Sequence, residues 1–254
     1  MSEENTTVTI DQLFAAGAHY GFSKSRRHPS TIPSIYGNKA GSDIIDLEQM
    51  AESIAAVSEA LRNYGKDGKN VLLVGTKTEI SRLVKKAAEA AEMPYVTNRW
   101  IGGTITNFTE VKKRINRLKE LVEERESGEL DRKYIKKERV VISREIDKLN
   151  YNFEGIISLD KRPDVLLVVD PRYEEIAVNE AHAAGIPVVA IAGTDTKITD
   201  LEHVVVANDA LSTSVAYILT QLIDAYKAGV KEYVPPARHE RSAARPRRST
   251  TPRR

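Results

Sequence analysis

Three short apolar runs constrain this chain more than any other feature: V-L-L-V-G at 71–75, V-L-L-V-V-D at 165–170 and G-I-P-V-V-A-I-A-G at 185–193. Each is too short for a core helix and apolar at successive positions, so both of its faces must be buried. A strand with two buried faces belongs inside a parallel sheet that is covered by helices on each side. Amphipathic stretches separate these runs. The clearest spans 47–64, with Leu47, Met50, Ile54, Val57 and Leu61 at three-four spacing; the others lie at 79–91, 174–184 and 210–228. Shorter strands are expected at 44–47, 94–96 and 203–206, and a short helix at 8–18 with Thr9 or Asp11 as its cap. The alternation predicts an α/β fold: a doubly wound parallel sheet in three layers, flavodoxin-like or Rossmann-like.

The pattern breaks at N-R-W-I-G-G-T-I-T-N-F, residues 98–108, which holds the only tryptophan. Gly102 and Gly103 permit backbone angles closed to other residues, and Thr104, Thr106 or Asn107 is placed to cap a following helix. Beyond this hinge, Phe108, Val111, Ile115, Leu118 and Val122 repeat at 3, 4, 3, 4 among charged residues. After a break at Ser127 and Gly128, Ile142, Ile146, Leu149, Phe153 and Ile156 repeat at 4, 3, 4, 3. Two such seams joined by a short connection predict an inserted antiparallel coiled-coil helical hairpin. A helix of about 20 residues spans roughly 30 Å, so the arm reaches beyond the body. The expected division is a single α/β domain from 8–104 and 157–229, the hairpin at 105–156, and a basic disordered tail at 230–254.

The net charge of +2 hides a strong asymmetry. Residues 235–254 carry seven arginines and one glutamate, a local +6 that leaves −4 for everything before it. A block of Arg, Pro, Ser and Thr cannot bury a core and suits a polyanion, with a solubilising role as the plainer reading. A second basic segment lies between Asp11 and Asp43, where Lys24, Arg26, Arg27 and Lys39 meet no acidic residue and aromatic residues stand nearby. This is read either as a loop suited to phosphate contact and base stacking or as a solvated loop with its aromatics tucked into the core. The candidate contacts for a polyanion, which the resemblance given below makes RNA-binding residues, are Lys24, Arg26, Arg27 and His28 in that loop, Arg99 at the hinge, Lys112, Lys113, Arg114 and Arg117 at the arm's base, and Arg238, Arg241, Arg245, Arg247 and Arg248 in the tail. Replacing Arg26 and Arg27 with alanine is expected to leave the fold's melting nearly unchanged. Trp100 either stacks on a base or fills the junction of arm and body, and the junction is the preferred reading.

Several function classes find no support. No apolar run approaches the roughly 20 residues of a membrane helix, and the polar, acidic first residues carry no export signal. Without cysteine there is no disulfide, thiolate zinc site or thiol nucleophile. His19, His28, His182, His203 and His239 lack metal-binding spacing, so no metal or other cofactor is expected. The strand ends V-G-T-K-T-E (74–79), D-P-R (170–172) and G-T-D-T-K (193–197) are where such a sheet binds ligands, yet no established phosphate-loop motif accompanies them. Asp170 and Arg172 read as a strand-end turn and ion pair. A nucleotide- or sugar-phosphate-binding enzyme stays open as the alternative.

A-G-A-H-Y-G-F (16–22), I-I-D-L (44–47), V-G-T-K (74–77), P-Y-V-T-N-R-W-I-G-G-T-I-T-N-F (94–108), P-D-V-L-L-V-V-D-P-R (163–172) and G-I-P-V-V-A-I (185–191) together resemble, in order and spacing, the second small-subunit ribosomal protein family. The long arm resembles its bacterial or organellar branch. The resemblance implies a non-catalytic structural protein of the small ribosomal subunit, in the cytoplasm of a bacterium. It implies binding to small-subunit ribosomal RNA and to neighbouring small-subunit proteins, among them the large messenger-binding first one, with no membrane or small-molecule partner. The chain departs from the family pattern at Phe22, where relatives have a second histidine, at His28 and Pro29 in place of W-N-P, and at Ala192 to Thr194 in place of V-D-T.

Overall fold

The computed structural model describes residues 9–233. After a short helix α1 (Ile10–Ala15), strands β1 (Tyr20–Ser23), β2 (Ile35–Lys39) and β3 (Ser42–Ile45) form an antiparallel sheet of order β1-β3-β2. The basic segment is a loop at 24–28, as expected, but the sheet flanks it: β1 precedes it, a 3-10 turn at Pro29–Ser34 follows, and Lys39 lies in β2. Helix α2 (Leu47–Lys66) starts at Asp46, whose carboxylate accepts from the N–H of Glu48 at 2.9 Å and of Gln49 at 3.3 Å.

The apolar runs then become β4 (Val71–Val74), β5 (Tyr95–Val96), β6 (Val165–Val169), β7 (Val188–Ala192) and β8 (His203–Val206). They make a parallel sheet of order β5-β4-β6-β7-β8. Helix α3 (Thr78–Ala90) links β4 to β5, and α7 (Glu175–Ala183) links β6 to β7. These two connections step in opposite directions across the sheet, so right-handed crossovers must put α3 and α7 on opposite faces. The packing agrees. Val71, Leu73, Val165, Leu167 and Ile191 face a core shared with α2, α3 and the last helix, α8 (Ser212–Glu232). Leu72, Val74, Leu166, Val168 and Val188 face a second core with α7 and the hinge. This is the three-layer α/β sandwich expected from the sequence, except that β7 reaches β8 through a loop without a helix.

Two glycines set the spacing of one outer layer. A Cβ at Gly65 of α2 would lie 2.6 Å from the Tyr226 carbonyl oxygen, and one at Gly229 of α8 would lie 2.0 Å from that of Arg62. Only bare backbone lets α2 and α8 meet this closely.

Between β5 and β6 the chain forms α4 (Phe108–Glu126), α5 (Glu129–Lys133) and α6 (Lys136–Phe153). Early α4 residues Val111 and Ile115 share a core with Phe153 and Ile156, whereas Leu118 and Leu121 share one with Ile142 and Ile146. That order makes α4 and α6 antiparallel. Helix α5 was not expected; Gly128, at φ +72°, turns the chain into it, and Leu130 is laid against Leu118 and Leu121. The buried α4 residue is consequently Leu121, with Val122 only partly covered.

Candidate nucleic-acid interface

The segment from β1 to the 3-10 turn is stitched to the loop after β7. Phe22 N–H donates to Thr194 Oγ1 at 2.9 Å, while His28 N–H and Thr31 Oγ1 both donate to the Thr194 carbonyl, at 2.9 and 2.8 Å. Arg26 lies over the Phe22 ring, 4.3 Å from its centroid, and donates to Asp195 at 2.8 Å. Its side chain is still 54% exposed. His28 caps the turn, its Nδ1 accepting from Ser30 N–H at 3.2 Å. Lys24 is exposed, and its side chain has no bonded partner among the described residues.

Arg27 differs from its neighbour. It lies 3.5 Å from Asp43, whose side chain is 0% exposed and whose Oδ2 has no hydrogen-bond partner among the described residues. Removing a partner from a buried ion pair costs about 3–5 kcal/mol. Arg27→Ala should therefore lose roughly 3 kcal/mol in urea unfolding, and the double variant with Asp43→Asn should recover part of it. A loss under about 0.5 kcal/mol, typical of a solvated surface residue, would contradict this role. The Arg27–Asp43 pair sets this prediction against the expectation that Arg26 and Arg27 are both replaceable without cost.

At the arm's base the cations divide again. Lys112 is bound to the body, donating to the Leu159 carbonyl at 2.8 Å and to Asp160 at 2.9 Å, and Lys112 holds the Asp160 carboxyl below its ordinary pKa. Lys113 pairs with Glu110 at 2.6 Å and Arg117 with Glu120 at 3.8 Å, so the expected acid-free face is partly neutralised. Arg99 and Arg114 are exposed, with no ion pair among the described residues. The tail arginines Arg238, Arg241, Arg245, Arg247 and Arg248 lie outside the described residues.

The hinge is organised by Glu180 of α7, a residue the sequence did not single out. Its carboxylate accepts from Gly103 N–H at 2.7 Å, Trp100 Nε1 at 3.2 Å, Ile105 N–H at 3.2 Å and Thr106 N–H at 3.5 Å. Burial opposes its ionisation, but these donors prevail and hold the pKa below the ordinary carboxylate range. Gly103, at φ +91°, presents its N–H as no other residue would do without strain. Trp100 is 7% exposed within the second core, so it fills the junction and is not available to stack on a base.

The ligand crevice of an open α/β sheet lies between β4 and β6, where the strand order reverses. Here the chain's own carboxylates occupy it. Glu174, 4% exposed, accepts from Thr76 N–H at 2.6 Å and Thr76 Oγ1 at 2.7 Å, the place a phosphate would take. Burial raises the Glu174 pKa against those two donors. Lys77 donates to Asp170 at 3.0 Å, so Asp170 pairs with Lys77 and not with Arg172 as the sequence suggested. Arg172 bonds instead to Asp195, beside Arg26. Asp209 sits behind them with neither carboxylate oxygen bonded among the described residues; burial first, and then Asp170, push its pKa up to about 7. A free anion would have to displace Glu174 amid three further carboxylates. The crevice offers no seat for a nucleotide phosphate.

Comparison with known proteins decides what kind of molecule this is. The family model described as ribosomal protein S2 matches residues 13–229. The chain belongs to the ribosomal protein S2 family. It is 39% identical over 222 residues to the small ribosomal subunit protein uS2 of Coprothermobacter proteolyticus, covering 87% of this chain and 82% of that one. It is 38% identical over 224 residues to uS2 of Fusobacterium nucleatum, covering 88% and 91%. With uS2c of Emiliania huxleyi the identity is 36% over 228 residues, covering 90% and 99%. The S2 family is a structural, non-enzymatic component of the small ribosomal subunit, so the alternative of an α/β enzyme falls away. Among the described residues no helix is long and apolar enough to cross a membrane.

Proposed function

We propose that this S2-family protein binds small-subunit ribosomal RNA through Lys24, Arg26, Arg99 and Arg114, with the tail arginines adding phosphate contacts. The observation that carries this reading is the division of the candidate cations by the use the fold makes of them. Arg27 and Lys112 are bound to the body, and Lys113 and Arg117 are paired on α4, whereas Lys24, Arg99 and Arg114 face solvent without an ion pair among the described residues. Arg26 is fixed on one side by Asp195 and open on the other. Held on a rigid scaffold, such cations gain affinity mainly by neutralising phosphates. In this reading the α/β domain of 8–104 and 157–229 is the scaffold, the arm of 105–156 extends the contact, and the tail, expected at 230–254 although α8 runs on to Glu232, adds charge.

Replacing Lys24, Arg26, Arg99 and Arg114 together with alanine should leave the protein folded, with a small loss of stability, because the buried Asp195 keeps Arg172 as its partner. The slope of log affinity for small-subunit RNA against log salt should fall by about 1 for each phosphate that is no longer neutralised. An unchanged slope would assign the RNA contact to other residues. A different surface suits a protein neighbour: Phe14, Tyr20 and Tyr36 are 61%, 54% and 81% exposed. Exposed aromatic residues of this kind anchor protein interfaces. In the reading proposed here they receive the large messenger-binding first small-subunit protein. Phe14→Ala with Tyr36→Ala should reduce retention of that protein on purified subunits, and equal retention would reject the assignment.

A further inference from the structure

A cleft of about 570 Å³ opens beside Arg26, and Glu174 does not line it. Its lining mixes charged and apolar side chains. Asp195, with a side chain only 4% exposed, binds both Arg26 and Arg172, which are themselves 54% and 55% exposed. A single buried carboxylate thus holds two guanidinium groups beside each other while leaving most of their N–H donors free. Guanidinium forks bind phosphate oxygens in pairs, and holding them in advance removes part of the ordering cost. The lining also includes Val178, Leu201 and His182, two aliphatic side chains and one imidazole. The volume falls within the range of about 300–1,000 Å³ found for ligand sites.

A continuous RNA duplex has no use for such a cleft, because its phosphates lie outside and its bases are stacked. A phosphate joined to a planar base outside the stack fits such a lining. We infer that the cleft lined by Arg26, Arg172, Val178 and Leu201 seats one unstacked nucleotide of the RNA partner, its phosphate on the arginine pair and its base against the aliphatic side chains. The inference rests on the RNA-binding reading above and adds to it a single-nucleotide pocket and a binding residue, Arg172. Protein recognition of RNA commonly uses bases splayed out of the stack, and here the phosphate fork supplies the anchor. Glu175, Asp200 and Asp195 line the same cleft and offset much of its positive charge. Simple attraction of any anion is therefore weak, and binding depends on the arginine fork together with the base.

The test uses the full-length chain titrated with inorganic phosphate, a nucleoside, and the corresponding 5′-nucleoside monophosphate, followed by nuclear magnetic resonance of the arginine and histidine side chains. The monophosphate should bind at least tenfold more tightly than either fragment. Arg172→Ala and Leu201→Asp, each checked for an unchanged circular dichroism spectrum, should each lower that affinity at least tenfold. In parallel, small subunits are reconstituted with wild-type or Leu201→Asp protein and their RNA is probed by 2′-hydroxyl acylation. One or two nucleotides should change reactivity between the two.

If inorganic phosphate binds as tightly as the monophosphate, the cleft is a phosphate contact without a base site and the inference fails. If the monophosphate binds but the probing patterns are identical, the ligand is a free nucleotide and the assignment to RNA is overturned. No binding of the monophosphate rejects the pocket altogether. The salt-dependent RNA binding of the wild-type chain is read separately, so the broader proposal stands or falls on its own measurement.

Discussion

Replacing Glu180 with alanine is expected to lower stability by about 4 kcal/mol and to move the tryptophan emission to longer wavelength. The size of the effect follows from what the carboxylate holds: it accepts from Gly103 and Ile105 N–H and from the Trp100 indole, all at 3.2 Å or less. Each buried donor left without a partner costs about 1–3 kcal/mol, and three of them near the low end of that range give the figure. Water reaching the loop restores some of those bonds, which keeps the sum near the low end. Trp100 is the only tryptophan, so its fluorescence reports on this loop alone. Glu180→Gln should recover part of the loss, since its amide oxygen still accepts but the charge assistance is gone.

The pH dependence has a fixed sign. Because the folded-state pKa of Glu180 is depressed, its contribution is complete above the unfolded value of about 4.3 and is lost as pH falls through the lower folded value. A loss below about 1 kcal/mol in urea unfolding, with emission unchanged, would show that the loop is held by packing instead.

The second large effect has the opposite sense. Asp209 is buried against Gly193, where an added Cβ would lie 2.7 Å from Asp209 Oδ1 and 2.8 Å from the Phe22 ring. With a folded pKa of about 7, it keeps a proton that the unfolded chain releases near pH 3.9. Between those values the folded state binds more protons than the unfolded one. Stability therefore falls as pH rises across that window, and the full cost is present above pH 7. At about 1.36 kcal/mol per pKa unit the cost is about 4 kcal/mol. Asp209→Asn should raise stability by up to about that amount at pH 8 and change little below pH 4. Equal stability of the two proteins at pH 8 would mean that solvent or a bonded partner already satisfies the carboxylate.

The elements best legible in the sequence are those buried on both faces. Strand β8 lies where 203–206 was expected, and β4 and β6 agree within a residue, because unbroken apolar runs leave no choice of face. Between β5 and β6 the repeat placed Ile115, Leu118 and Ile142 at buried positions, but it picked Val122 where the buried residue is Leu121. A helix of 3.6 residues per turn drifts against a seven-residue repeat, and the unforeseen α5 covers the side bearing Leu121.

Of the small sheet only the end of β3 was expected, at 44–47; β1 and β2 were missed because they are short and half exposed, and Gly21 and Gly37 interrupt their apolar residues. The candidate interface was legible as composition and illegible as geometry. Nothing local to Arg26 and Arg27 tells that one is half exposed on a buried carboxylate it shares with Arg172, while the other is mostly covered beside a buried carboxylate of its own. Their partners, Asp195 and Asp43, are set by the fold. Glu180 and Arg172 were overlooked for the same reason: Glu180 reaches a loop 77 residues earlier, and Arg172 bonds to the same Asp195 as Arg26.

RNA binding through the exposed cations is tested most directly by sedimentation through sucrose gradients at low and moderate salt. Tagged wild-type chain is compared with the variant carrying alanine at Lys24, Arg26, Arg99 and Arg114, both expressed in their own cells. The wild type should migrate with small subunits at both salt concentrations, while the variant, folded and equally abundant, should move to the top of the gradient as salt rises. Co-migration of both proteins at every salt concentration would contradict that role, and would place the RNA contact on residues other than the exposed cations of body and arm.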